Sequence, residues 1–248
     1  MDLNNDKGHM HIPPIDNLID QSTRIFKQFL LAQNALNIGG NTILGFSDNA
    51  LIVETVGVGI EIEPIPIVEV KHYWLELPKV MLETFHGKLV QEWYECLKTL
   101  FYLLMDKHFS GERVFKELKR RQATIDFRED IDLIEQTKYS LSNSFDFDSY
   151  KDKTKLINSV FNPENKQEEH LKNIHKHIQI RNSIQHKNCT IDDFFLKDLG
   201  VQQISLLDDK AEEKMFKVND CIELSIPEFD YFRKSIVLVG QVWREWNG

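Results

Sequence analysis

The stretch PKVMLETFHGKLVQEWYECLKTLFYLLM, residues 78–105, decides the fold class. Met81, Leu82, Phe85, Leu89, Val90, Trp93, Cys96, Leu97, Leu100, Leu103 and Leu104 recur three and four apart, the spacing that stacks side chains along one side of an α-helix. The stripe is broad, so this helix is apolar over more than one face and belongs at the centre of a bundle. Pro78 suits a first helical turn, where its missing N–H costs little, and the pattern predicts a helix that starts there.

Working outward toward the C-terminus, a second helix with a break is expected over Glu112 to Tyr139. Ser140 to Asp152, rich in Ser, Asn and Asp, reads as a loop. A short helix over Lys153–Phe161 stops at Asn162-Pro163, and another runs from Asn165 to Lys187. Val201 to Leu207, and Lys214 to Leu224 across the turn Asn219-Asp220, read as a β-hairpin. Ser225-Ile226-Pro227-Glu228 is a helix start, with Ser225 as cap, and Phe229, Phe232, Ile236, Val239 and Trp243 carry that helix onward.

Toward the N-terminus, Ile19, Ile25, Phe26, Phe29 and Leu30 place a helix over Asp16 to Asn37, with Gly39-Gly40 as its stop. Leu51 to Val70 is rich in β-branched residues at period two and reads as two or three strands, its second half pushed toward an edge by Pro64 and Pro66. The fold class is therefore mainly α. A helical domain over 76–248 forms a bundle with a small β-hairpin before its C-terminal helix, and 1–75 adds an N-terminal α/β segment.

Composition narrows function by exclusion. Among 248 residues, 39 acidic outnumber 30 basic, for a net charge of -9, which speaks against wrapping DNA or RNA over a broad surface. No apolar run approaches the ~18–20 residues needed to cross a bilayer, so no membrane partner is expected. Met1 to Asp6 is polar and acidic, unlike the flank of a secretory signal. Cys96, Cys189 and Cys221 are odd in number and far apart, which excludes a disulfide framework and a Cys-x-x-Cys metal site. The expectation is a soluble protein of the reducing cytoplasm.

One helix runs against this acidic background. Over Asn165–Lys187, Lys166, Lys172, Lys176, Arg181 and Lys187 outweigh Glu168 and Glu169, and His170, His175, His177 and His186 join them. Such a local basic strip is expected where a chain meets a phosphate. Leu171, Ile174 and Ile178 form a narrow apolar stripe that Arg181 and Gln185 continue, and a buried Arg is rare unless it is paired or meets an anion. Arg181 and His186 fall about 140° apart on the wheel, flanking one face, where a shared ligand is plausible. Arg supplies a fixed fork of donors for a phosphate, and His exchanges protons near neutrality. Together they suit attack of a ribose 2′-hydroxyl on the adjacent phosphodiester, with no metal or other cofactor. One His does not easily serve as both base and acid, and a symmetric dimer apposing two such helices supplies the second.

Arg181-Asn182-Ser183-Ile184-Gln185-His186-Lys187-Asn188 resembles the Arg-x4-6-His motif, with a polar residue after the Arg, of the HEPN superfamily (higher eukaryotes and prokaryotes nucleotide-binding). The resemblance covers Pro78 to the C-terminus. It implies an α-helical, commonly dimeric bundle, in many members a metal-independent endoribonuclease of toxin–antitoxin or phage-defence systems. Carried over, Arg181 and His186 match the catalytic pair and Asn182 the polar position beside them. Cys189 departs from the pattern, standing where similar proteins often have Gly. Residues 1–75 fall outside it. Lys172, Lys176, His177, Gln185 and Lys187, on the same helix, are the candidate RNA contacts. Implied partners are an RNA substrate, a second copy of the chain and an antitoxin or defence-system protein. The alternative is a non-catalytic HEPN-like module that binds a nucleotide or a protein.

Two basic features read otherwise. His170, His175 and His177 are spread and poor in carboxylate neighbours, so no metal site is expected. Lys116, Lys119, Arg120 and Arg121 alternate with Glu112 and Glu117 and read as a solvated helix face rather than an RNA guide.

Overall fold

A computed structural model describes residues 12–48, 65–118, 121–127 and 132–246. Among them lie seven α-helices and one two-stranded hairpin: α1 (Pro13–Leu44), α2 (Ile67–Phe109), α3 (Leu133–Phe147), α4 (Tyr150–Phe161), α5 (Glu168–His186), α6 (Asp193–Leu199), β1 (Ile204–Leu207), β2 (Glu213–Phe216) and α7 (Ile226–Arg244). The mainly helical expectation, with a hairpin ahead of the C-terminal helix, holds.

The apolar stripe of residues 78–105 forms the middle of the bundle. Helix α2 packs against α1, α3, α4, α5 and α7. Its Leu89, Trp93, Leu97, Leu100 and Leu104 are fully buried, and Trp93 stacks on Trp243 of α7 at 5.1 Å. The expected start at Pro78 is wrong. Helix α2 begins at Ile67, and Pro78 lies inside it. A proline there removes one backbone hydrogen bond, a loss that packing on both sides of a 43-residue helix tolerates. Ile67, Val68 and Val70, read as strand, are helical. The strand expectation for 51–64 lies outside the described residues.

Helix α1 runs on through Gly39-Gly40 to Leu44 instead of stopping there. The two glycines mark a close approach. A Cβ on Gly40 would stand 2.7 Å from Trp74 Nε1 and one on Gly39 2.9 Å from Trp74 Cζ2, so the ring of α2 lies against bare α1 backbone. Ile15, Leu18, Ile25 and Phe29 of α1 belong to the same core as α2 and α7, and the expected boundary at residue 75 falls within α2.

The segment 112–139 is not one helix, nor is 140–152 a loop. Gly111 turns the chain at φ 77, residues 112–118 and 121–127 run without helix, and α3 then starts at Leu133 under an Asp132 cap that accepts from the Ile134 and Glu135 amides. Within 140–147, Ser142 and Phe145 are buried, Phe145 stacking on Phe101 at 4.3 Å, while Asp146 and Phe147 are exposed. Ser149 then caps α4. Of the basic run, Arg121 pairs with Asp148 at 2.6 Å and lies over the Phe101 ring; Lys119 and Arg120 lie outside the described residues.

The hairpin is correctly placed but its turn is not. Strands β1 and β2 are antiparallel, with Ile204 opposite Phe216 and Leu207 opposite Glu213, and Asp208 closes the turn by accepting from the Lys210 and Glu212 amides. Asn219, at φ 72, makes a second bend that brings Cys221 back to pair with Thr190. Behind the hairpin, Ile180, Ile191, Phe195, Leu206, Phe216 and Ile222 form a second, smaller core, roofed by α6, a helix the sequence reading did not separate. Ser225 caps α7 as expected, accepting from the Glu228 amide at 3.1 Å.

Candidate functional site

Helix α5 packs against α2 and α7; His177 is buried and His170, His175, Lys176 and Arg181 are half-buried, while Glu168, Glu169, Lys172 and His186 are exposed. His170 bonds Ser235 Oγ at 3.1 Å. His175 bonds Asp198 at 2.6 Å and stacks on Tyr150 at 4.8 Å; burial holds its pKa below the usual imidazole value despite the Asp198 carboxylate. His177, expected to contact RNA, is 0% exposed and stacks flat on Phe232 at 4.2 Å, so it offers no surface to a nucleic acid. Lys176 is held at 2.7 Å by Glu228 and at 2.9 Å by the Ser205 carbonyl. Lys172 pairs with Glu168 at 2.7 Å on the surface, Lys187 pairs with Asp192, and Gln185 is exposed. Of the basic strip read from the sequence, Lys176, His170, His175 and His177 are thus taken up by buried or half-buried bonds, while Lys172 and Lys187 stay on the surface.

Within this packing lies a line of three side chains from three helices. Glu228 Oε1, on the first turn of α7, stands 2.9 Å from His177 Nε2 on α5. His177 Nδ1 stands 3.0 Å from His86 Nε2 on α2. The same carboxylate also takes the Lys176 ammonium and, through Oε2, the Leu207 amide at 2.7 Å. All three residues are at most 1% exposed. Burial alone would raise the Glu228 pKa, but the hydrogen bond and charge of His177, the charge of Lys176 and the Leu207 amide outweigh it and hold the carboxyl at about 2. Burial lowers His177 to about 4 and drives His86 well below 6.5, the second helped by the neighbouring His177 and Arg181 charges. At neutral pH the line is a carboxylate followed by two uncharged imidazoles.

His86 forms part of the wall of a cavity of about 230 Å³ between α2 and α5, shared with Glu83 and Thr84 of α2 and Arg181, Ile184 and Gln185 of α5. Arg181 is half-buried at this cavity, and Asn182 Oδ1 accepts from its guanidinium at 3.3 Å. No carboxylate lies within ion-pair distance of Arg181 among the described residues, although Glu83 lines the same cavity. His186 ends α5, exposed and outside the cavity lining. The structure therefore brings Arg181 and Asn182 together with His86, and within one chain it does not bring His186 to Arg181. Asn188 and Cys189 just beyond sit at φ 50 and φ 63, the left-handed region that favours glycine.

His86 and Glu228 are site residues that sequence reading missed. Their one signal was position. His86 interrupts the apolar stripe at a spacing that buries it, between Leu82 and Leu89, and an interior imidazole needs a partner. Among the described residues no helix is long and apolar enough to cross a membrane, and no three His, Cys, Asp or Glu side chains are grouped to hold a metal ion. The chain matches no protein-family model, no curated protein and no solved structure.

Proposed function

We propose that this protein is a metal-independent endoribonuclease of HEPN type that acts as a homodimer in the cytoplasm, as a toxin or phage-defence effector. The observation that carries this reading is Arg181: a half-buried guanidinium at a cavity, steadied by Asn182 and lacking a carboxylate partner among the described residues, is built to receive an anion. In the reaction, the substrate's 2′-oxygen bonds to the adjacent phosphorus as the bond from phosphorus to the 5′-oxygen breaks. The 2′-hydroxyl loses its proton to a base, the 5′-oxygen takes one from an acid, and a cyclic phosphate and a 5′-hydroxyl result. Arg181 stabilises the charge that gathers on the phosphoryl oxygens. His186 is the exposed proton carrier of the motif, and apposing α5 of a second copy brings it to the cleft.

Purified protein incubated with total RNA in EDTA tests this directly. Cleavage by the wild type, and its loss in Arg181→Ala and in His186→Ala, is the expected result. Undiminished cleavage by either variant overturns it. An absence of cleavage from the wild type, with nucleotide binding retained, selects the non-catalytic binding module instead.

A further inference from the structure

The three cysteines are far apart in the chain, yet the fold sets two of them side by side. Cys189 follows the last turn of α5, and Cys221 lies on the segment that returns from β2 toward α7. Thr190 and Cys221 face each other in an antiparallel bridge. It is closed by the Ile222 amide donating to the Cys189 carbonyl at 2.8 Å and the Ile191 amide donating to the Asp220 carbonyl at 3.0 Å. Residues one step from directly opposite in such a pair have Cα atoms about 5–6 Å apart, inside the span of roughly 4.4–6.8 Å that a disulfide bridges. In a regular strand neighbouring side chains point to opposite faces, which would part Cys189 from Cys221. Cys189 sits at φ 63, however, in the left-handed region, and the alternation breaks there. Cys221 is a hydrogen-bond neighbour of the Cys189 thiol, whose Sγ also lies 4.0 Å from the Glu83 carboxylate. The Cys189 side is anchored to α5, its amide donating to the Ser183 carbonyl at 3.2 Å and Ser183 Oγ donating to the Thr190 carbonyl at 2.8 Å. Cys221 is exposed and Cys189 half-buried, whereas Cys96 is buried in the bundle core, where burial pushes its thiol up to about 12.

We propose that Cys189 and Cys221 are a dithiol site that closes into a reversible intramolecular disulfide by exchange with a small-molecule disulfide. The exposed Cys221 enters first. Its thiolate attacks one sulfur of the oxidant, the oxidant's S–S bond breaks, and one small thiolate leaves. Cys189 then attacks the Cys221 sulfur and expels the second small thiolate, which takes up the Cys189 proton. The protein gives up two hydrogens and the oxidant ends as two thiols. Burial, the Glu83 carboxylate and Cys221 itself push the Cys189 thiol up, which suits the resolving partner rather than the one that reacts first. The bond joins the end of α5 to the approach to α7 and closes a loop that holds α6 and the hairpin. A reducing compartment keeps the pair as thiols at rest, and disulfides formed there are transient and redox-sensing. The site owes nothing to the nuclease reading.

The test takes the full-length wild type, reduced and then freed of reductant, and incubates it with glutathione disulfide in native buffer. Acid-quenched samples are read by mass spectrometry. A monomer lighter by two hydrogens is expected, with a tryptic map that joins the Cys189 and Cys221 peptides, leaves Cys96 free and reverts in dithiothreitol. Cys189→Ser should stop at a glutathione adduct on Cys221, and Cys221→Ser should form no internal bond. A wild type that stays reduced, that halts at an adduct with Cys189 free, or that pairs either cysteine with Cys96 or with a second chain overturns the proposal. In urea strong enough to unfold the chain, the same treatment should give mixed pairings and adducts. The single Cys189–Cys221 pairing persisting there would show that the fold does not select it, and overturns the proposal equally.

Discussion

Glu228 Oε1 lies 2.9 Å from His177 Nε2 with both side chains shut away from water, tying the first turn of α7 to the middle of α5. Glu228 also answers Lys176 and the Leu207 amide, so one carboxylate satisfies three donors. Truncating it in Glu228→Ala should destabilise the fold by about 3–5 kcal/mol, because an imidazole, an ammonium and an amide are left wanting. Urea denaturation followed by tryptophan fluorescence measures this. A loss under about 1 kcal/mol would mean that water replaces the carboxylate, contrary to its burial.

Acid should weaken the protein in two steps of the same sign. His177 is held at about 4 in the fold, against 6.5 for a free imidazole. The unfolded chain therefore takes up a proton first, and stability is full above pH 6.5 and falls as the pH drops toward 4. His86, lowered well below 6.5, adds to the same window. Glu228, held at about 2 against 4.5, contributes stability that is present above pH 4.5 and lost as the pH falls through 2. Urea midpoints should hold from pH 7.5 to about 6.5 and decline from there to 4.5; a rise on acidification would contradict the uncharged state of the two histidines.

Gly40 and Gly87 both lie within helices, yet substitution should move them in opposite directions. Gly40→Val puts a branched side chain where even a Cβ would stand 2.7 Å from Trp74 Nε1, and should cost roughly 1–3 kcal/mol. A Cβ on Gly87 meets nothing within 4 Å, so Gly87→Ala should stabilise by about 0.5–1 kcal/mol through helix propensity. Thermal melts of the two variants decide.

Arg181→Ala should separate function from stability. With no carboxylate partner among the described residues, its removal should shift stability by less than about 1 kcal/mol while anion binding and RNA cleavage disappear. His186→Ala, exposed at the end of α5, should behave likewise in denaturation. A large unfolding effect of Arg181→Ala would recast that arginine as structural.

Much of the scaffold was legible because it depends on local spacing. The apolar recurrence of 81–104 identifies the central helix, and Ser225, Pro227 and Glu228 identify the start of α7. Local rules failed where tertiary packing overrode them. Pro78 and Gly39-Gly40 carry stop signals, but α2 and α1 continue through them because each helix is supported along its length by the other. The Ser- and Asn-rich 140–147 reads as loop until Phe145 is seen stacked beneath it. The candidate site was half legible. Arg181 and Asn182 stand out on a single helix, whereas the partners of His177 are 91 and 51 residues away in the chain, beyond any periodicity. A count of lysines and histidines on one helix likewise says nothing of which way they face, and most of those on α5 face inward.

Glu228 follows both His86 and His177 in the chain, which gives vectorial synthesis a particular order. The two imidazoles leave the ribosome first, unoriented and free to titrate, and they acquire their fixed tautomers only after α7 has been made. A fragment that stops short of α7 holds Arg181, Asn182 and His186 but has no carboxylate at the far end of the line. For the RNA-cutting enzyme proposed above, whose nearest RNA at birth would be the ribosome translating it, a line closed only by the last helix is a form of timing written into the order of its helices.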